Sequence, residues 1–128
     1  MKREVIEWVE KAEGDFISAK REYRARKRPN YDAACFHAQQ SAEKYLKAYL
    51  QAINIPIPKT HDLVRLLSEI PSTPALESLR SGMATLTAYA VEYRYPGESA
   101  TTEVARDAIK LSGVIRDELR QLLSLPKG

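Results

Sequence analysis

The chain has 128 residues, of which 44% are hydrophobic and 29% charged, and this size and composition predict one domain over residues 1–128 with a substantial core. No apolar run approaches the roughly 20 residues that span a bilayer, and the charged start has no signal-peptide core, so we expect a cytoplasmic protein without a membrane partner. The formal net charge is only +3, but six cations crowd a nine-residue segment, so the distribution of charge is more informative than its total.

Residues 2–26 are predicted to form a long amphipathic helix, because their apolar side chains recur at intervals of three and four. Asp15 lies at the edge of the apolar stripe. A basic cluster occupies the last turns, where cations interact favourably with the negative end of the helix dipole. Its members are Lys20, Arg21, Arg24, Arg26, Lys27 and Arg28. A solvated helix end is the simpler interpretation of this cluster, and a nucleic-acid site that includes the interleaved Tyr23 is the alternative.

Residues 30–53 form the predicted central helix, with Asn30 as its N-cap and more than half of its circumference apolar. So wide an apolar surface needs neighbours on two sides, and we expect this helix to be the most buried of the long helices. Cys35 lies in the apolar arc and is the sole cysteine, so we interpret it as a small core residue.

The rest of this helix is a polar strip with one aromatic residue, and we expect function to reside there. The strip consists of Phe36, His37, Gln40, Glu43, Lys44, Lys47 and Gln51. A solvated helix face is the simplest interpretation of its polar residues. The alternative is contact with a second subunit or a nucleotide, because Phe36 lies among the polar side chains.

A short helix is predicted over residues 61–70, with Thr60 as its N-cap and Pro71 at its end. His61 and Asp62 stand at its start. Their simpler interpretation is helix initiation, in which the Asp62 carboxylate interacts with the positive end of the helix dipole. The alternative interpretation is that both residues contact a nucleotide or an RNA phosphate.

A fourth helix is predicted from Pro74 to about Tyr93, because Thr73 is a good N-cap, proline suits the first helical position and apolar residues recur along a narrow seam. Arg94 and Tyr95 follow this helix. They either place a cation against the last carbonyl groups and fix the turn, or recognise a phosphate through the guanidinium and tyrosine stacking.

Together with a last helix over residues 102–125, these elements predict an all-α protein, an up-and-down antiparallel bundle of four long helices plus one short helix. His37 and His61 are the only histidines and no Glu-x-x-His motif occurs, so we expect no metal site. The five glycines form no phosphate-binding loop, so we expect no bound cofactor, and we assign no catalytic residue.

Three blocks of sequence follow one another in a distinctive order: ACFHAQQSAEKYLKAYL on the second helix, KTHDL at the start of the third and YAVEYRYP at the end of the fourth. Together with the A-x-x-D of residues 12–15, these blocks resemble the HEPN domain family over nearly the whole chain. The resemblance implies a homodimer. It also implies a nucleotidyltransferase protein partner, because short stand-alone members of the family pair with minimal nucleotidyltransferases as toxin and antitoxin.

Many members of that family are metal-independent ribonucleases, which carry an Arg-x(4–6)-His motif near the start of a late helix. This sequence lacks the motif, since Arg94 stands nearest to the expected place and His61 is the last histidine. We therefore interpret the protein as a dimeric binding and regulatory module that is non-catalytic or weakly catalytic. The alternatives are a ribonuclease toxin with a rearranged site, to which His37 or His61 contributes, and a structural helical adaptor.

The candidate site residues on this interpretation fall into three groups. The candidates for binding nucleotide or RNA phosphate are Arg94, Tyr95, His61, Asp62, His37, Lys44 and Asp15. The candidates for a basic patch are Arg24, Arg26, Lys27 and Arg28. The candidates for the dimer interface are Phe36, Tyr89 and Tyr93.

Overall fold

The computed structural model describes residues 1–127, which form six α-helices and no strand. The helices are α1 Arg3–Arg24, α2 Tyr31–Ala52, α3 Leu63–Leu67, α4 Pro74–Glu77, α5 Arg80–Glu92 and α6 Thr102–Leu122. The predicted all-α class is confirmed. None of the helices in this part of the chain is both long and apolar enough to cross a membrane.

The chain reverses direction between its first two helices, which pack along their whole length. Near the start of α1, the Lys2 ammonium donates to the Gln51 carbonyl oxygen at 3.1 Å. Later in α1 and earlier in α2, the Tyr45 hydroxyl donates to the Glu13 carboxylate. Residue numbers therefore rise in α1 as they fall in α2, as an antiparallel pair requires. Helices α5 and α6 continue the predicted up-and-down arrangement around α2.

Helix α2 is the centre of the core. Eleven of its 22 residues are buried, against four of 22 in α1 and seven of 21 in α6, so the prediction that it is the most buried long helix is confirmed. Cys35 is fully buried on α2, also as predicted. Burial, reinforced by the charge of Asp32, raises the pKa of the Cys35 thiol to about 12, so this side chain is a neutral packing group.

The predicted fourth helix is wrong in one respect, because the chain forms two helices there. A tight turn at Ser78 and Leu79 separates α4 from α5, and the Leu79 amide donates to Leu76 O at 3.0 Å, three residues back instead of four. One tightened turn leaves the three-and-four spacing of the apolar residues intact, so the sequence pattern does not reveal it. The bundle thus has three helices of 21 or 22 residues, the 13-residue α5 and two short helices.

The short helix α3 also begins later than predicted, because Asp62 and not Thr60 is its N-cap. The Asp62 carboxylate accepts from the amides of Val64 at 3.0 Å and Arg65 at 3.4 Å. Thr60 instead accepts from the Asp62 amide and fixes the preceding turn. A carboxylate at the positive end of a helix gains a charge interaction that a hydroxyl lacks, which favours the later start.

Candidate functional site

The polar strip of α2 is less exposed than a solvated helix face. Glu43 is only 3% exposed, and the side chain of Lys47 is 12% exposed because it lies under the ring of Trp8, 5.7 Å from the ring centroid. The expectation of a solvated face is therefore wrong for this part of the strip. Helix α1 covers one side of it, and the segment before α3 covers the other.

Glu43 holds a histidine from the segment before α3. The Nδ1 atom of His61 lies 2.9 Å from Oε1 of Glu43, and Lys47 Nζ lies 2.9 Å from Oε2. The amide of Gln39 donates to the backbone carbonyl of His61 at 2.7 Å, so α2 fixes both the ring and the backbone of this residue. The His61 side chain is nevertheless 74% exposed.

A second histidine and carboxylate pair lies on the same helix. Nδ1 of His37 is 2.8 Å from Oδ1 of Asp15, and the Lys44 ammonium donates to the other oxygen of the same carboxylate. The His37 and Phe36 rings pack in a T-shaped arrangement, with 5.4 Å between centroids. Three predicted binding residues, Asp15, His37 and Lys44, are thus brought together by the antiparallel packing of α1 on α2.

Arg94 and His61 line one cleft between α2 and α5, which we call the His61–Arg94 cleft. Its volume is about 180 Å³, and it is lined by Gln39, His61, Asp62, Thr87, Ala90, Val91 and Arg94. Within residues 1–127, no ion pair or hydrogen bond engages the Arg94 guanidinium, which lies 5.7 Å from the Phe36 ring centroid. Among the described residues, the cleft therefore presents a cation without an ion-pair partner beside a histidine, and guanidinium groups of this kind can bind anionic ligands.

The residues next to these two have more limited roles. Asp62 lines the cleft, but its carboxylate already accepts the capping bonds of α3. Tyr95 follows Arg94 and is 62% exposed, and it lines none of the described clefts next to Arg94. The structure thus favours helix initiation for Asp62, and it leaves Tyr95 as a surface side chain.

Two of the three predicted interface aromatics, Phe36 and Tyr93, lie beside the cleft. A second cleft of about 370 Å³ adjoins the first at Arg94 and is lined in part by Phe36 and Tyr93. Tyr89 instead faces α6, where its hydroxyl donates to the Asp107 carboxylate at 2.9 Å. This hydrogen bond raises the pKa of Tyr89 to about 12. Phe36 and Tyr93 therefore remain better interface candidates than Tyr89.

The basic patch lies at the turn between α1 and α2. Helix α1 ends at Arg24, two residues earlier than predicted, and Arg26, Lys27 and Arg28 lie in the exposed turn that follows. None of these four residues lines the His61–Arg94 cleft. The turn is close to the start of α2 and lines a separate cleft with Arg28, so the patch is a distinct cationic surface.

Glu43 and Gln39 are the site residues that sequence reasoning missed. The predicted polar strip includes Glu43 without a binding role, and Gln39 belongs to none of the predicted groups of site residues. One signal was present, since Glu43 and Lys47 stand four residues apart on a helix and can form an ion pair. Their link to His61 depends on how the segment before α3 packs, which has no local signature. In residues 1–127, no three histidine, cysteine or acidic side chains are grouped as a metal ion requires.

The fold and the cleft define a small all-α bundle with a cleft beside its central helix that a histidine and an arginine line. The sequence matches the family model of the HEPN domain over residues 5–122, so the chain belongs to the HEPN domain family. The resemblance seen in the sequence is confirmed.

Two solved structures are similar to this chain over nearly its full length. The crystal structure of TT1696 from Thermus thermophilus has 24% sequence identity and a TM-score of 0.81, and the match covers 94% of this chain and 98% of that one. The crystal structure of ST0689, an archaeal HEPN homologue, has 26% identity and a TM-score of 0.77, and the match covers 96% of this chain and 99% of that one. No curated protein matches the sequence.

Proposed function

We propose that this protein is a dimeric binding and regulatory module that recognises the phosphate of a nucleotide or of RNA in the His61–Arg94 cleft. The observation that carries the proposal is the shared cleft, in which a guanidinium without an ion-pair partner among residues 1–127 lies with a histidine that α2 holds in place. The planar guanidinium offers two parallel N–H donors that match phosphate oxygens. The exposed basic patch adds positive charge at the adjoining end of α2.

We also propose that the partner of this module is a minimal nucleotidyltransferase, as in a toxin–antitoxin pair. Membership of the HEPN domain family supports this partner, because short stand-alone members pair in this way. The gene neighbourhood tests it directly. A short nucleotidyltransferase reading frame beside this gene is the expected finding, and the pairing loses its support if related chains consistently occur without one.

Arg94→Gln should weaken binding of a fluorescein-labelled single-stranded oligoribonucleotide by roughly tenfold to a hundredfold, because a hydrogen bond to a charged group contributes about 1.5–3 kcal/mol. The measurement is fluorescence anisotropy over a series of salt concentrations. Wild-type affinity should fall steeply with salt as counterions are released. Lys110→Gln is the matched control, because it removes an exposed cation from α6, away from the cleft. Equal affinities for Arg94→Gln and Lys110→Gln would contradict the proposal.

The basic patch is tested in the same titrations. Replacing Arg24, Arg26 and Arg28 together with glutamine should weaken binding further and flatten the salt dependence, because fewer phosphates are then neutralised. If the triple variant binds the oligoribonucleotide as the wild-type chain does, the patch is a solvated helix end.

A symmetric homodimer is expected, with Phe36 and Tyr93 at the contact. In a twofold interface each residue is used twice, so two aromatic residues per chain place four aromatic rings at the contact. The double variant Phe36→Glu/Tyr93→Glu should therefore sediment as a folded monomer, whereas the wild-type chain sediments as a dimer. Val114→Glu places the same charge on an exposed apolar position of α6 and should leave the dimer intact. A wild-type chain that sediments as a monomer at tens of micromolar would refute the dimer.

One observation favours a second candidate function, a metal-independent ribonuclease. A histidine held by a carboxylate can serve as acid or base, and Arg94 in the same cleft can hold the phosphate. RNA incubated with the protein and a chelator separates the candidates. Intact, bound RNA supports the binding module, and cleavage that both His61→Ala and Arg94→Ala abolish supports the enzyme. A chain that neither binds nor cleaves RNA or nucleotide is a structural adaptor.

A further inference from the structure

We infer that Glu43 is a positioning residue for His61: it holds the imidazole in the tautomer that carries hydrogen on Nδ1, which leaves Nε2 as a hydrogen-bond acceptor at the cleft. The tautomer and the positioning role follow from geometry alone, whereas their use in ligand binding at the cleft rests on the proposed function. The His61 ring is largely exposed, whereas the carboxylate beneath it is buried.

The hydrogen on Nδ1 follows from the chemistry of the two groups. A carboxylate has only acceptor atoms, so a ring nitrogen at 2.9 Å from Glu43 Oε1 must itself be the donor. The other groups around Glu43 are donors as well, with Lys47 on Oε2 and the amides of Gln39 and Gln40 on Oε1. Within residues 1–127, no acceptor competes with Glu43 for the Nδ1 hydrogen.

The backbone of His61 is held as firmly as its ring. The Gln39 amide, which is buried, donates to the His61 carbonyl oxygen at 2.7 Å, and the next residue is fixed as the N-cap of α3. An exposed side chain on a connecting segment would otherwise sample several rotamers. A buried carboxylate and a buried amide on α2 instead hold the exposed imidazole in one orientation.

The free acceptor decides which ligands suit the cleft. Arg94 provides only donors, and they match phosphate oxygens. In its neutral form, His61 provides an acceptor at Nε2. This acceptor suits a hydroxyl group or the O–H of a protonated phosphate. The pair therefore fits a phosphate ester with a neighbouring hydroxyl group. A bare inorganic polyanion would use Arg94 and leave Nε2 without a partner.

Nuclear magnetic resonance of the imidazole nitrogen and carbon atoms measures the tautomer in the wild-type chain. The chain has two histidines, and His37→Gln assigns the signals of His61. At pH 9, well above the ordinary imidazole pKa of about 6.5, His61 should show the Nδ1–H tautomer. The Nε2–H tautomer, or a mixture of the two, would overturn the inference. This measurement does not depend on the folding of any Glu43 variant.

A pair of variants separates positioning from general structural effects. Glu43→Met removes the acceptor and should shift His61 to the Nε2–H tautomer while the His37 signals stay unchanged. Asp15→Asn is the matched control at the second pair, and it should move the His37 signals and leave those of His61. If Glu43→Met does not fold, Glu43→Gln replaces it, and it should give a tautomer mixture. Retention of pure Nδ1–H in the variant would overturn the inference.

Binding of adenosine monophosphate distinguishes failure of this inference from failure of the proposed function. His61→Ala and Glu43→Met should each weaken binding by roughly threefold to tenfold, the effect of one hydrogen bond. The double variant should be no weaker than either one, because Glu43 acts through His61. If Arg94-dependent binding persists but the tautomer is wrong, the positioning role alone fails. If the tautomer is right but neither nucleotide nor RNA binds, the proposed function alone fails.

Discussion

Leu46→Asp is expected to leave the chain unfolded at room temperature. Leu46 lies in the middle of α2 with no exposed surface. Removing a buried leucine costs about 2–5 kcal/mol, and an unpaired buried carboxylate adds several more. Domains of this size have a total free energy of unfolding of about 5–15 kcal/mol. The expected loss is therefore comparable to the whole stability, and circular dichroism should show little helix.

The control for this prediction places the same charge on an exposed apolar position. Ile17→Asp on α1 and Val114→Asp on α6 change side chains that are already about half exposed, so both variants should remain helical. A soluble, helical Leu46→Asp protein with an unchanged melting temperature would show that α2 is not the centre of the core.

Glu13→Ala should cause the second-largest loss, about 2–3 kcal/mol. The Glu13 carboxylate accepts two bonds from the Arg116 guanidinium at 2.7 Å and one from the Tyr45 hydroxyl. Arg120 donates to the same hydroxyl at 2.9 Å. Without Glu13, two buried guanidinium groups lose their carboxylate, and breaking a buried pair costs about 3–5 kcal/mol. The loss expected for Glu13→Ala lies at or below the bottom of that range because the Glu13 side chain is 29% exposed.

Urea unfolding followed by circular dichroism measures this loss. The matched control is Glu69→Ala, which breaks the exposed i,i+4 pair of Arg65 and Glu69 and should change stability by only about 0.3–0.5 kcal/mol. Equal losses for the two variants would mean that the Glu13 cluster contributes no more than a surface ion pair.

The Glu13 cluster also predicts how stability depends on pH. Burial raises the pKa of the Glu13 carboxyl, but hydrogen bonds from Arg116 and Tyr45 and the two guanidinium charges outweigh it, so the pKa in the folded chain is lowered. The stabilisation is therefore fully present above the unfolded pKa of about 4.3 and is lost as the pH falls through the folded value. The stability difference between the wild-type chain and Glu13→Ala should shrink below pH 4. A constant difference would contradict this assignment.

The Tyr45 hydroxyl remains neutral throughout that range. Burial, together with the hydrogen bond to Glu13, raises the pKa of Tyr45 to about 12. The acid-dependent loss is thus expected from the carboxylate alone. Tyr45→Phe removes both hydrogen bonds of this hydroxyl, and one of them lowers the pKa of Glu13, so stability should fall at a higher pH in this variant.

Local features of the sequence determined most of the fold. The all-α class followed from apolar spacing, which a helix turns into a continuous face. Asn30 and Thr73 cap their helices as predicted, because a capping side chain bonds an amide only three residues away. The wide apolar arc of α2 predicted its central place for the same reason. These features depend on neighbours within one or two turns, so they are present in the sequence itself.

The contents of the site were decided by tertiary packing. Glu43 meets His61 across 18 residues, and Glu13 meets Arg116 across 103. The sequence suggested that His61 could substitute in space for a missing motif, but only the packing of α3 and α5 against α2 places it in one cleft with Arg94. The sequence pattern predicts that polar residues on a helix face solvent, and it does not show when a distant segment of the chain covers them. Burial of a charge depends on that distant partner, and its position follows from the packing of whole helices.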